Sequence, residues 1–497
     1  MILWLFSLIA AAVTVAAWWI PGSLGCAALG WTAIGLWIVA LASPHNRLKR
    51  LYFGGMLTHL GGFYWLYGTI KDFGGFPTIA AVAIFALFVC GSAVSFLIWG
   101  FVWQHLPQWC SRWGIRTALA WLVATHFWVR IFPWDFGHTQ LGFAPLAQVA
   151  DLSGVTGISF LMMWVLEVAI LGKAAPLVAK VPPLLLLASS VLYGIRMERI
   201  VPTLYETPVQ TAMIQGNVSL REKHDVKSFS VNRQRYLDFS AGVSQKDLLI
   251  IWPESTITDW MPAQASDART VPELPFLGDG SAFLVGGLTW ASREEFFNSS
   301  LLVRPDGSLD TPYHKMILMP FGEYTPFSSA LPWLKDINAT AGQFTAGSEP
   351  SVLSYKLSNN AAVKLSPLIC YEDVIPDLAR RAAQMGTQLL INQTNDAWFG
   401  NTVAPYQHHM IASFRAIETR RFLLRSTNTG LTAVVDPLGR TLASLLPFSE
   451  GILPMEVNLV SFMTWYSVLP IDKAWLLLAI IGALATIRLA LRRSRVS

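Results

Sequence analysis

No charged residue precedes Arg47 in this chain, and nearly all of that opening stretch is apolar. A segment of this kind has few ways to fold, because a membrane-spanning helix needs about 20 apolar residues and few other structures hide so many. Met1–Ile20 and Gly22–Ser43 each reach that length, joined by a tight turn at Pro21-Gly22. A signal peptide would carry Lys or Arg at its start, and none is present. Ser-Leu-Gly-Cys at 23–26 is an imperfect lipidation pattern, with Ser23 where an aliphatic residue is expected.

Six more apolar runs follow: Leu51–Ile70, Pro77–Trp103, one from Thr117 interrupted at Arg130, Gly154–Gly172 containing Glu167, Leu177–Ile195 with Lys180 near its start, and Ala474–Leu491. The expectation is an α-helical transmembrane bundle of about eight helices, seven in a membrane domain over 1–195 and the last, with a cytoplasmic tail, over 471–497. Basic residues mark the loops that stay in the cytoplasm. Arg47, Lys49 and Arg50, then Arg112 and Arg116, then Lys173 and Lys180, then Arg488, Arg492, Arg493 and Arg495 fall on one side, against Lys71 and Arg130 on the other. Both termini are therefore expected inside, and 196–470 outside, which in a bacterium is the periplasm.

The chain is 53% hydrophobic and 13% charged, about half the usual charged share. Its net charge of +5 resides largely beside apolar runs, so no nucleic-acid partner is expected. Four Cys without a CxxC pair give neither a disulfide framework nor a zinc site. Adjacent His408 and His409 would point different ways on a helix, which argues against a shared metal.

Within 196–470 short apolar runs of strand length recur: Thr211–Ile214, Leu248–Trp252, Ala282–Val285, Ser300–Val303, Leu365–Ile369, Gln388–Ile391 and Thr432–Val435. Turn signals at 304–307 and 436–439 and helical stretches at Asn232–Val243, Ile375–Gln384 and Tyr406–Phe422 separate several of them. This pattern predicts a layered α/β domain. Three places in it carry candidate chemistry. Cys370 ends an apolar run and is followed at once by Tyr371, Glu372 and Asp373, a setting for a nucleophile, or for a buried inert thiol. Glu254 follows Pro253 just past another run, a position for a general base, or for a solvated loop carboxylate. Lys315 could hold positive charge near an oxyanion, or be a surface Lys; Glu323 follows eight residues on, and His314 reads as a polar loop residue.

Trp-Pro-Glu-Ser at 252–255, His-Lys…Pro-Phe-Gly-Glu at 314–323 and Ile-Cys-Tyr-Glu at 369–372 resemble the nitrilase superfamily, whose Glu-Lys-Cys triad occurs in this order. The resemblance spans about Pro208–Glu456. Asn-Gln-Thr-Asn-Asp-Ala-Trp-Phe-Gly at 392–400, Gln-His-His-Met at 407–410, Arg415-Ala-Ile-Glu418, Arg425-Ser-Thr-Asn-Thr-Gly430 and Phe132-Pro-Trp134 through Gln140 extend it to the membrane-embedded acyltransferase branch. One departure lies after Gln215-Gly-Asn-Val, where Lys223 is followed by His224 instead of the usual Trp. The resemblance implies a nitrilase-like α-β-β-α sandwich, with Glu254 as base, Lys315 as oxyanion stabiliser, Cys370 as nucleophile, and Glu323, Tyr371 and Glu372 shaping the site. It implies a bacterial inner-membrane enzyme moving a fatty acyl chain from a phospholipid, through a Cys thioester, to the α-amino group of a diacylglyceryl-cysteine apolipoprotein. No cofactor and no metal are expected, and a monomer is. Apolar loop residues at Trp260-Met-Pro262, Phe327, Leu331-Pro-Trp333 and Trp398-Phe399 could dip toward lipid or pack internally. Two rivals are a membrane-tethered amidase that transfers its acyl group to water, and a transporter using Glu167, His59 and His126.

Overall fold

A computed structural model describes residues 2–171, 176–320, 322–324 and 344–494. Lys173, Phe327, Leu331, Trp333, Arg495 and the side chains of His224 and Arg493 lie outside the described residues. The chain divides into two compact units, one of Met1–Tyr67, Thr78–Ile200 and Thr464–Ser497, the other of Gly68–Pro77 and Val201–Met463. The second unit takes in a short segment, Gly68–Pro77, from between two apolar helices.

Among the described residues five helices are long and apolar enough to cross a membrane: Leu24–Ala42, Thr78–His105, Ala150–Leu171, Leu177–Leu204 and Ile471–Arg492. Trp4–Trp19 is a shorter apolar helix. Arg47–Gly62 and Arg116–Phe127 are shorter than a full span, at 16 and 12 residues. The last of these stops before Arg130, and the chain then folds into a 3-10 turn, Phe136–Gly142. Irregular backbone inside an apolar bundle must find partners within the protein. Asp135 provides them, accepting from Trp121 Nε1 at 2.9 Å, Phe136 N at 2.8 Å and Ser159 Oγ at 2.5 Å.

The polar groups of the first unit mostly tie helix ends. The Glu167 carboxylate accepts from Thr117 N at the start of Arg116–Phe127. His59 and His126 each bond the carbonyl one turn back, at Gly55 and Leu122. Such local roles leave the transporter alternative without a chain of polar sites. Arg50, one of the basic residues of the loop after the second apolar run, is buried, donating to the carbonyls of Ala40, Ser43 and His45. It caps the end of Leu24–Ala42, where a cation also opposes the helix dipole.

The described residues of the second unit hold thirteen strands: β1 Pro208–Gln215, β2 Leu248–Ile251, β3 Ile257–Pro262, β4 Ala282–Ser292, β5 Glu295–Val303, β6 Tyr313–His314, β7 Leu353–Lys356, β8 Ala362–Ile369, β9 Leu389–Thr394, β10 Phe422–Thr427, β11 Ala433–Val435, β12 Thr441–Ser444 and β13 Gly451–Asn458. Among the described residues they form one sheet in the order β13-β1-β2-β4-β5-β6, with β3 beside β4, and a second in the order β12-β11-β10-β9-β8-β7. Side chains alternate faces along a strand, so apolar residues at every position mean that both faces are covered. Leu249 and Ile251 of β2 join Leu389, Ile391, Phe422 and Leu424 of β9 and β10 in the core between the sheets. Leu248 and Ile250 point the other way, toward Tyr236 of helix Phe229–Val243. Leu390 and Leu423 likewise meet Leu378 of helix Pro376–Gln384 and Ala412 and Ala416 of helix Ala404–Thr419. The layering is α-β-β-α.

Close packing at one glycine sets the height of the Glu254 turn over β4. A Cβ at Gly286 would lie 2.2 Å from Pro253 O and 2.8 Å from Glu254 Cα. Backbone cannot yield there as a flexible side chain would. Gly286→Ala is therefore expected to lower the unfolding free energy by about 1–3 kcal/mol. Gly242→Ala, whose new methyl meets nothing within 4 Å, should be neutral or stabilising by up to about 1 kcal/mol. Denaturant unfolding of the two variants checks the contrast.

Candidate active site

Parallel pairing of β8 with β9 and of β2 with β4 aligns strand ends, and the polar residues follow those ends. Cys370 is the first residue past β8 and opens the 3-10 turn Cys370–Val374. Its φ is +54°, a left-handed conformation that costs a non-glycine residue roughly 1–2 kcal/mol. The turn is held against that strain. Asn392 Nδ2 on β9 donates at 3.0 Å to both the Leu368 and the Cys370 carbonyls.

Glu372, two residues further, is fully buried and clamps two segments together. Its carboxylate accepts from Ile369 N at 2.7 Å and Tyr313 OH at 2.7 Å, and from Met316 N at 2.6 Å and Ile317 N at 3.1 Å. The Cys370 turn and the segment carrying Lys315 are thereby fixed to one carboxylate. Burial pushes its pKa up, while the Ile369 N–H and the Tyr313 hydroxyl act against the rise. Tyr371, beside the thiol, is partly exposed.

Lys315 follows β6 and is only 1% exposed. Its Nζ lies 3.2 Å from Glu254 Oε1 and 2.8 Å from Glu323 Oε2. Asn298 of β5 bridges the same two carboxylates, its Nδ2 donating to Glu254 Oε1 at 2.8 Å and Glu323 Oε1 at 3.0 Å. Met319 N donates to the other Glu323 oxygen at 2.8 Å. Burial would lower the Lys315 pKa, but Glu254 and Glu323 outweigh it and hold the ammonium well above its ordinary value. Burial raises the Cys370 pKa well up, Glu254 adds to the rise, and Lys315 opposes it. The sulfur is thus a neutral thiol at rest, with a carboxylate and an ammonium near enough to feel its charge.

The structure brings Glu254, Lys315, Glu323, Glu372 and Cys370 into one neighbourhood, with Tyr371 beside the thiol. His314 is turned the other way, against Ser299 Oγ at 2.8 Å, with its pKa lowered to about 4 by burial. Sequence reasoning missed several partners. Asn298 carried no signal beyond being a polar residue inside an apolar strand. For His408 the sequence argues against a metal shared with His409 and names no other partner. Its Nε2 lies 2.6 Å from Asp373 Oδ1 and its Nδ1 3.1 Å from Asp396 Oδ1, while Arg425 Nε meets Asp373 Oδ2 at 3.0 Å. This network ties the Cys370 turn to the turn Asp396–Phe399. Lys223, noted earlier only as a basic residue, donates from Nζ to the Glu254 carbonyl at 2.9 Å.

Residues 210–466, which hold both sheets together with Glu254, Lys315 and Cys370, match the family described as "Carbon-nitrogen hydrolase". Residues 3–166 match "Apolipoprotein N-acyltransferase N-terminal domain". An apolipoprotein N-acyltransferase of Geobacter metallireducens is 30% identical over 95% of this chain and 93% of its own length. One of Vibrio vulnificus is 30% identical over 87% of this chain and 88% of its own. A solved amidase from Nesterenkonia, of the nitrilase superfamily, aligns over 54% of this chain and 95% of its own with 21% identity and a TM-score of 0.38. The chain belongs to the apolipoprotein N-acyltransferases, within the nitrilase superfamily.

The clamp and the histidine network each generate a prediction. Glu372→Ala strands four buried donors and should cost at least about 3 kcal/mol, whereas Tyr313→Phe removes one donor and should cost about 1–1.5 kcal/mol; chemical denaturation reads both. For His408, burial lowers the pKa but Asp373 outweighs it, and the result is a rise to about 9 from 6.5. A raised pKa adds stability that is fully present below the unfolded value and is lost as pH climbs through the folded one. The melting temperature should fall between about pH 6.5 and 9, and His408→Gln should flatten that slope.

Proposed function

We propose that this protein transfers a fatty acyl chain from a phospholipid to an apolipoprotein through a thioester on Cys370. The observation that carries the reading is the buried cluster in which Lys315 joins Glu254 and Glu323 beside the Cys370 turn. In the first step Glu254 takes the thiol proton as Sγ attacks the ester carbonyl of the phospholipid. The oxyanion of the tetrahedral intermediate is stabilised by Lys315. Collapse breaks the ester C–O bond, and the leaving lysophospholipid oxygen receives the proton from Glu254. In the second step the α-amino group of a diacylglyceryl-cysteine attacks the thioester carbonyl. Glu254 takes the amine's proton, and collapse expels Sγ, which is reprotonated. Glu323 holds Lys315 in place, and Glu372 fixes the Cys370 turn. Tyr371, on the partly exposed side of the thiol, faces the path of substrate.

The membrane placement belongs to the same proposal. Eight crossings, with the shorter helices Trp4–Trp19, Arg47–Gly62 and Arg116–Phe127 counted, put both termini in the cytoplasm of a bacterial inner membrane and residues 201–463 in the periplasm. The distribution of Lys and Arg supports this side. The enzyme would act as a monomer.

Mixing purified protein with phospholipid should raise its intact mass by one acyl chain, and Cys370→Ser should abolish the thioester. Adding a diacylglyceryl lipopeptide should discharge it to an N-acylated product. A thioester lost only to water, with hydrolysis of small amides, would instead mark an amidase. A reporter fused near Gly307 should be active only outside the cytoplasm.

A further inference from the structure

The two-step scheme leaves one nearby charge unused. Lys223 sits on the short helix Leu220–His224, which is opened by a reciprocal cap between Ser219 and Glu222. Its Nζ donates to the Glu254 carbonyl at 2.9 Å. Among the described residues no carboxylate stands within ion-pair distance of it. The carbonyl it holds precedes Ser255, whose φ of +45° is again left-handed. Lys223 and Glu254 line one small cavity together with Tyr236, Ser255, Thr256 and Asn428. The Lys223 charge also interacts with Glu254, Cys370 and Lys315.

Formal charges show what such an ammonium would do. Glu254 and Glu323 face Lys315, two negative charges against one positive, so the cluster is short by one. Moving the Cys370 proton to Glu254 relocates a negative charge onto sulfur without changing that sum. A buried unit of net charge is costly, and a second cation removes it. We propose that Lys223 is a positioning residue for acylation: it pins the strained Glu254–Ser255 turn through the Glu254 carbonyl and balances the cluster's excess negative charge as the thiolate forms. The proposal rests on Cys370 being the acylated nucleophile.

Protonation of Lys223 then becomes a requirement. Burial lowers its pKa to about 8, against the pull of Glu254 and Cys370. The other titratable groups facing it are Lys315 and Tyr236. Lys315, Tyr236 and Cys370 all have pKa values raised above their ordinary ones. A lowered lysine pKa means that charge is present below about 8 and lost above it.

The test uses the full-length enzyme in detergent with phosphatidylethanolamine, following thioester formation by rapid quench and intact mass. Lys223→Met should slow acylation at least about tenfold, less than the loss of a direct oxyanion donor, with little change in the phospholipid concentration for half-maximal rate. Lys223→Arg should restore most of the rate. In the wild type the rate should bend downward above about pH 8; Lys223→Arg should move that bend upward and Lys223→Met should abolish it. Alkylation of Cys370 by iodoacetamide, which needs no lipid, should shift to higher pH in Lys223→Met. Unchanged acylation and alkylation profiles in Lys223→Met would overturn the proposal. So would a Lys223→Arg enzyme that is folded by its melting curve but as slow as Lys223→Met. Wild-type enzyme that never forms a thioester would sink the Cys370 reading itself, and the alkylation profiles would still judge Lys223.

Discussion

A single buried ammonium organises the catalytic unit. Lys315 has almost no access to water, and an unpaired charge in that position would cost several kcal/mol. It is tolerated because Glu254 and Glu323 both reach it and Asn298 ties the two carboxylates together. Those four residues come from four separate stretches: the turn after β2, strand β5, the segment after β6, and the loop at 322–324. The ion cluster therefore exists only when the first sheet and its connections are assembled. The same condition applies from the other side, since Glu372 holds the Lys315 segment to the end of β8.

The sheets themselves meet through an apolar centre and a polar end. Core residues such as Leu249, Ile251, Leu389 and Leu424 exclude water from the middle. Toward the strand ends the contacts change to side chains bonding backbone across the sandwich. Gln393 Nε2 donates to the Trp252 carbonyl at 2.6 Å, and Ser426 Oγ to the Ile251 carbonyl at 3.2 Å. Asn428 exchanges bonds with the backbone of Val218 at 2.7 and 2.9 Å. Non-directional burial sets how close the sheets lie, and directional bonds set their register where the chemistry is. Glu254 and Cys370 start on different sheets, so their separation depends on that register.

Much of this was legible in the residues. Short continuous apolar runs such as Leu248–Trp252 and Leu365–Ile369 mark strands covered on both faces, and the polar residues that end them mark the candidate site. Strand β10 was not legible. It begins three residues after helix Ala404–Thr419 with no glycine or proline between them, because Arg420 takes the left-handed position, φ +54°, that glycine usually fills. Its apolar start therefore looks like the end of the helix. The role of His408 was not legible for a different reason. Its partners Asp373 and Asp396 lie 35 and 12 residues away, and no local pattern encodes a contact made by folding. Arg50 is a third case, since a basic residue beside an apolar run looks the same in sequence whether or not it turns back to cap a helix.

The charge pattern also bears on the proposed pairing of Glu254 and Lys315 with Cys370. A thiol raised in pKa by burial needs its base within reach at the moment of attack. When that base is a carboxylate, proton transfer exchanges one anion for another and leaves the total unchanged. A neutral histidine in the same place would create a new ion pair at each turnover, with desolvation that must be met afresh. Lys315, held charged by two carboxylates, stays fixed throughout. Under the proposed mechanism the proton would pass from Cys370 to Glu254 inside an electrostatic frame that does not reorganise, which is the condition under which preorganised charges lower a barrier most.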